Sequence, residues 1–207
     1  MGLTTADGLR LEAQLHPAAD PHAAVVLAHP HPANGGDMHS GIIGWLYEAL
    51  PTRGVVTLRL NFRGVGASEG RHEGGVGERL DLQAAVDAVR AAGPDLPVVL
   101  VGWSFGADLA LAVDAPGVAG WCALAPNFRS VGADAMAAGR DDRPVLLMVP
   151  EHDQVCPPAS ARAEVAAWNG GRVALTVLGG TDHFLAGAAG DITDAVVAFT
   201  HTAATGA

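Results

Sequence analysis

The chain has 207 residues, 49% of them hydrophobic and 16% charged, with a formal net charge of -10. Those figures describe one globular domain, residues 1–207, with enough chain to bury a substantial core. They exclude a nucleic-acid partner, because no basic stripe exists to neutralise phosphates, and no apolar stretch approaches the roughly 20 residues of a membrane span.

All twelve cationic residues are arginine. A chain without lysine cannot use Schiff-base chemistry, a Walker lysine or Ser-x-x-Lys catalysis. Met1 to Asp7 has neither a basic start nor an apolar centre, so it does not read as a secretory signal, and Ala6 breaks the myristoylation pattern. The expected location is cytoplasmic. Two cysteines, Cys122 and Cys156, are too few for a disulfide framework. Cys122 falls in an apolar run and reads as core; Cys156 has no basic neighbour to activate it.

In chain order, Leu9 to Leu15 alternates apolar and polar residues, and Ala6-Asp7-Gly8 supplies a turn before it, which predicts an N-terminal hairpin. From Ala23 the rhythm changes to continuous apolar runs: Ala23 to Ala28, Val55 to Leu60, Val98 to Gly102, Val118 to Ala125, Val145 to Val149 and Val173 to Leu178. Continuous runs of that length read as parallel strands buried on both faces. Helical patterns separate them at Gly41 to Leu50, Glu78 to Ala92, Gly106 to Val113, Ala159 to Trp168 and Asp191 to His201. In the second, Leu82, Val86 and Val89 share a face by i, i+4, i+7 spacing. The alternation predicts an α/β fold: a doubly wound, mostly parallel sheet with helices on both faces and an antiparallel N-terminal hairpin. Active residues in such a sheet gather at the carboxyl ends of the strands.

At one of those ends stands Gly102-Trp103-Ser104-Phe105-Gly106, between an apolar strand and a helical pattern. Strand, Gly-x-Ser-x-Gly, helix is the context of a nucleophile elbow, a turn so sharp that side chains at 102 and 106 would collide. A serine hydroxyl needs a base, and the base an orienting carboxylate, in the order Ser, Asp or Glu, His on this architecture. Asp153 follows the Val145 strand and His183 follows the Val173 strand, which matches. Glu151 could reach the same space as Asp153. Asp182 adjoins His183, but neighbouring side chains rarely point so as to bond Nδ1. His152 would precede its own acid and reads as a surface histidine. Of the amides that could hold an oxyanion, one belongs to Phe105, after the nucleophile. The other should come from His29-Pro30-His31-Pro32, where the prolines have no N–H to give and His31 is the natural donor. His29, His31 and His39 lack an HExxH pattern or a cysteine cluster, so no metal is predicted. No cofactor is implied.

Together these residues resemble the α/β-hydrolase superfamily, and more narrowly the small bacterial hydrolases related to dienelactone hydrolase and the carboxylesterases. The resemblance rests on the His29 to Pro32 loop, Gly35-Gly36-Asp37-Met38, the Asn61 to Gly70 loop (Asn-Phe-Arg-Gly-Val-Gly-Ala-Ser-Glu-Gly), the elbow, Asp153 and Asp182-His183-Phe184, covering nearly the whole chain. It implies a Ser104–Asp153–His183 triad with the oxyanion amides of Phe105 and His31. Dienelactone hydrolases use a cysteine nucleophile, so serine here departs from them and their substrate is not carried over. The Arg63 loop reads as structural, and Ser68 lacks the strand-to-helix setting of a nucleophile. Only 127 to 142 is available where lids of this superfamily grow, so the site should be open. Trp103, Phe105, Asn127, Phe128 and Phe184 are its candidate walls, the aromatic flanks of Ser104 foremost, though each could equally be core. The expected activity is a serine carboxylesterase acting on small to medium, soluble esters. A thioesterase, transacylase or small-peptide hydrolase would share the same residues, and a non-catalytic ligand-binding member of the fold is the alternative of another class. The expected partner is a small-molecule ester, with no nucleic acid and no membrane; the sequence specifies no oligomeric state.

Overall fold

Eight strands form a single sheet in the order β1-β2-β4-β3-β5-β6-β7-β8. The computed structural model describes residues 1–132, 136–170 and 172–205. The strands are β1 (Gly2–Thr4), β2 (Arg10–His16), β3 (Ala23–Ala28), β4 (Val55–Leu60), β5 (Val98–Trp103), β6 (Val118–Leu124), β7 (Pro144–Pro150) and β8 (Arg172–Leu178). Strands β1 and β2 pair antiparallel, β2 joins β4 antiparallel, and every pairing from β4 to β8 is parallel. The helices are α1 (Gly41–Ala49), α2 (Glu78–Ala92), α3 (Phe105–Ala112), α4 (Pro158–Ala166) and α5 (Ala189–Thr205).

The apolar runs fill both faces because a strand alternates its side chains. Ala24, Val26, Leu100, Trp121, Ala123, Val145 and Leu147 enter one core with α2 and α3. Val25, Leu27, Val99, Val101, Cys122, Leu146 and Met148 enter the other with α1 and α5. A sheet covered on both sides needs no polar alternation, which is why the central strands read as unbroken apolar runs. Strand β8 departs from that expectation. It has a neighbour only in β7, and its residues from Arg172 to Val177 alternate exposed with half-buried. Valine and leucine here cover an edge.

The order also fixes the site. The order in which strands are added reverses at β3, since β4 lies on one side of it and β5 on the other while all three run parallel. Loops leaving the carboxyl ends of β3 and β5 diverge and open a crevice there. Register puts Ala28 beside Gly102, so the loop after β3 and the elbow after β5 start side by side.

Candidate active site

Ser104 occupies the turn between β5 and α3 with φ 56° and ψ −114°, a conformation that a non-glycine residue adopts only under constraint. The constraint is the packing around it. A Cβ at Gly102 would overlap the Gly106 carbonyl, and one at Gly106 would overlap the carbonyls of Ala28 and His29. Both glycines are therefore steric requirements of the elbow. The Ser104 amide donates to the Leu124 carbonyl at 2.9 Å, tying the turn to β6.

His183 Nε2 lies 2.9 Å from Ser104 Oγ, and its Nδ1 lies 2.8 Å from Asp153 Oδ2. The carboxylate needs a proton to accept, so Nδ1 carries the hydrogen and Nε2 is left to receive one from the serine. Asp153 is buried, and its other oxygen, Oδ1, accepts from the amides of Val155 (2.7 Å) and Cys156 (3.1 Å). Those two amides hold the carboxylate so that Oδ2 faces the ring. The loops carrying the pair are themselves joined: the His152 amide donates to the Thr181 carbonyl, and the Gly180 amide to Glu151 Oε2 at 2.8 Å. Glu151 thus braces the histidine loop, while Asp182 turns back to accept from the Phe184 amide at 3.0 Å. Of the three acidic candidates, Asp153 is the one that bonds the ring.

Neither the amide of Phe105 nor that of His31 has a hydrogen-bond partner among the described residues. The first opens α3, whose N-terminal amides have no intrahelical acceptor. The second is held in place by its own ring, since His31 Nδ1 accepts from the Ala33 amide and starts a single 3-10 turn from Pro32 to Asn34. The His31 ring also packs on Phe105, centroids 4.9 Å apart.

His29 locks the base of that loop and has no free electron pair left for a metal. Its Nδ1 donates to the Pro30 carbonyl at 2.7 Å, and its Nε2 accepts from the Phe62 amide at 3.1 Å. Burial lowers its pKa to about 4. The unfolded chain takes up this proton near 6.5, so between pH 6.5 and 4 it binds more protons than the folded one and stability falls on acidification. The loss from His29 alone is about 3 kcal/mol, complete near pH 4. Urea unfolding at pH 7 and pH 4.5 should show a smaller difference for His29→Asn than for wild type. Equal differences would rule out a neutral, buried His29.

The cavity over Ser104 is about 560 Å³, lined among others by His31, Gly41, Trp103, Asn127, Val155, His183 and Phe184. Phe184 is 71% exposed at its mouth. Trp103 does more than form a wall: its indole Nε1 donates to the His183 carbonyl at 3.0 Å. Phe128 does not line the cavity. Asp108, fully buried in the first turn of α3, accepts the amides of Asn127, Phe128, Arg129 and Ser130 at 2.9–3.0 Å. The turn wraps around that carboxylate and sends Phe128, with φ 56°, against Trp168 at a centroid distance of 6.3 Å. Phe105 likewise puts its ring into the core, only 1% exposed. Residues 133–135, within the short stretch read as leaving no room for a lid, lie outside the described residues. Cys156 is buried and its thiol is pushed up to about 11, chiefly by burial, so it is a poor nucleophile.

The bracing by Trp103, Glu151 and Asp108 is absent from the sequence reading. Asp108 gave the one legible hint, a carboxylate in the first turn of a helix, but its acceptor role depends on a loop about twenty residues downstream.

Comparison with known proteins identifies the family and the fold. Over residues 19–141 the chain matches the family model described as serine aminopeptidase, S33. An uncharacterised protein of Rickettsia prowazekii is 36% identical over 126 residues, which span 59% of this chain and about half, 53%, of that relative. An α/β serine hydrolase homologue from Coxiella burnetii superposes with a TM-score of 0.84 at 29% identity, covering 96% of this chain and 95% of its own. An α/β serine hydrolase without a lid, from Xanthomonas campestris, gives 0.76 at 26% identity over 97% and 91%. With the family model matched over more than half its length and the same sheet in serine hydrolases, the chain belongs to the serine aminopeptidase S33 family of the α/β-hydrolase superfamily.

Proposed function

We propose that this protein is a serine esterase that cleaves carboxylic esters of small to medium, soluble substrates through an acyl-enzyme. The observation that carries the reading is the unbroken row Asp153 Oδ2, His183 Nδ1, His183 Nε2, Ser104 Oγ at 2.8 and 2.9 Å, ending at a strained serine. Ser104 attacks the ester carbonyl while His183 takes its proton, and Asp153 holds the ring and stabilises the imidazolium. The amides of Phe105 and His31 bind the oxyanion. His183 then protonates the departing alcohol, and in a second half-reaction it draws a proton from water, which attacks the acyl-enzyme and regenerates Ser104. No step requires a cofactor.

A thioesterase or transacylase would use the same groups. The family's description as a serine aminopeptidase raises small-peptide hydrolysis as a second reading. Against it, the cavity over Ser104 has no aspartate or glutamate in its lining among the described residues, and a free α-amino group would be held there without a counter-charge.

A fluorophosphonate probe tests the proposal. Wild-type protein should gain a single covalent label, located by peptide mass spectrometry on Ser104. A label on another serine, or none, would refute the assignment. A panel of p-nitrophenyl esters beside acyl thioesters and amino-acyl p-nitroanilides should show the oxygen esters turned over fastest.

A further inference from the structure

A second cavity of about 420 Å³ adjoins the one over Ser104. The two share His31, Asn127 and Val155 in their linings, so they form one cleft that passes the oxyanion loop. Their chemistry differs. The first is lined by apolar and neutral polar groups with two histidines; the second adds Arg129 and Ser130. Among the described residues, Arg129 is the only arginine in either lining, and no aspartate or glutamate accompanies it.

Its guanidinium has no ion-pair or hydrogen-bond partner among the described residues. Arg10, Arg53, Arg63 and Arg143 pair with carboxylates and Arg59 with Gln14; what sets Arg129 apart is its place in the cavity that shares a lining with the one over Ser104. The backbone beneath Arg129 is nevertheless tightly fixed. Its amide donates to Asp108 Oδ2 at 3.0 Å and to Asn127 Oδ1 at 2.8 Å, and Ser130 Oγ donates to Asn127 Oδ1 at 3.1 Å. A cation on a rigid turn, in a cavity adjoining the one over Ser104, is arranged to meet an anion that arrives with the substrate.

We propose that this second cavity is an anion subsite, and that the substrates are esters carrying a carboxylate or phosphate on the part that passes His31 and Asn127 to reach Arg129. The assignment rests on the esterase reading above and narrows it from esters in general to anionic ones. The guanidinium binds the anion as a planar fork, Ser130 and Asn127 offer it polar neighbours, and the ester carbonyl stays over Ser104. The subsite also offsets the repulsion an anionic substrate meets from a protein of net charge −10.

The test is the ratio of kcat/KM for an anionic ester to that for its methyl-capped neutral partner. One arm uses p-nitrophenyl hemiesters of succinate, glutarate and adipate, with the anion on the acyl side. The other uses acetyl esters of hydroxycarboxylates and of phosphorylated diols, with the anion on the alcohol side. Wild type should favour the anionic member about five- to tenfold on one arm, and 0.5 M salt should compress that preference. Arg129→Gln should bring the ratio near one and Arg129→Glu below it, while Arg162→Gln, which removes an equal charge from α4, should leave it unchanged. A wild-type ratio near one on both arms, or a ratio that survives Arg129→Gln, would overturn the subsite while ordinary turnover of neutral esters left the esterase reading standing. Absence of both ester turnover and fluorophosphonate labelling would overturn the two together.

Discussion

Replacing Ser104 by alanine should lower ester kcat/KM about a million-fold, Asp153→Asn should lower it about ten-thousand-fold, and Asp182→Asn should leave it within about threefold. The serine figure follows from removing the only nucleophile the row serves. The aspartate figure comes from a proton's address. Oδ1 of Asp153 accepts two amides, from Val155 and Cys156, so an asparagine there must keep its carbonyl oxygen on that side. Its NH₂ then faces His183 Nδ1, which has to accept instead of donate. The ring's hydrogen moves to Nε2, the nitrogen that must take the proton of Ser104. The geometry survives and the base is lost. Asp182→Asn keeps a carbonyl oxygen for the Phe184 amide, so its loop is undisturbed. The comparison is made with p-nitrophenyl acetate, on variants whose urea midpoints match wild type. Equal losses at 153 and 182 would remove Asp153 from the role proposed for it.

Most of the architecture could be read because its causes are local. Continuous apolar runs mark strands covered on both faces, and β3, β5, β6 and β7 are covered so, with side chains alternating between the two cores. Gly102 and Gly106 are legible for the same reason: the crowding that requires them is created by the elbow itself. What escaped depends on partners distant in sequence. Strand β8 looks like a central strand because Val-Ala-Leu-Thr-Val has the same β propensity at an edge, and only the sheet order exposes it. Phe128 looks like a pocket wall until Asp108 is seen gathering the four amides around it. Arg129 is one charge among many in the sequence, and becomes distinctive only when the fold sets it in a cavity that shares His31, Asn127 and Val155 with the one over Ser104.

Removal of Arg63 should cost about 3–5 kcal/mol of stability, lowering the melting temperature by about 10 °C. Its side chain is 1% exposed and makes ion pairs with Asp81 (2.8 Å), Asp7 (3.0 Å) and Glu73 (3.3 Å). Asp81 is itself fully buried and also accepts the Arg63 amide at 2.9 Å. Burial already pushes its carboxyl above the usual range in spite of the arginine. Arg63→Met would leave that carboxylate desolvated and unpaired, so it would protonate or unfold the loop that holds it. The loop matters to the site, because Phe62 beside it donates to His29 and Asn61 Oδ1 accepts the Met38 amide. If the cost is the stranded charge rather than lost packing, the double variant Arg63→Met/Asp81→Asn should recover at least about 2 kcal/mol of it, since asparagine keeps an acceptor for the Arg63 amide without a charge. Arg10→Met, which breaks the exposed pair with Glu69, should scarcely move the midpoint. Urea titrations of these four proteins and of Asp81→Asn alone decide the matter. A single variant as stable as wild type, or a double variant no better than the sum of its parts, would show that the buried pair does not hold this loop.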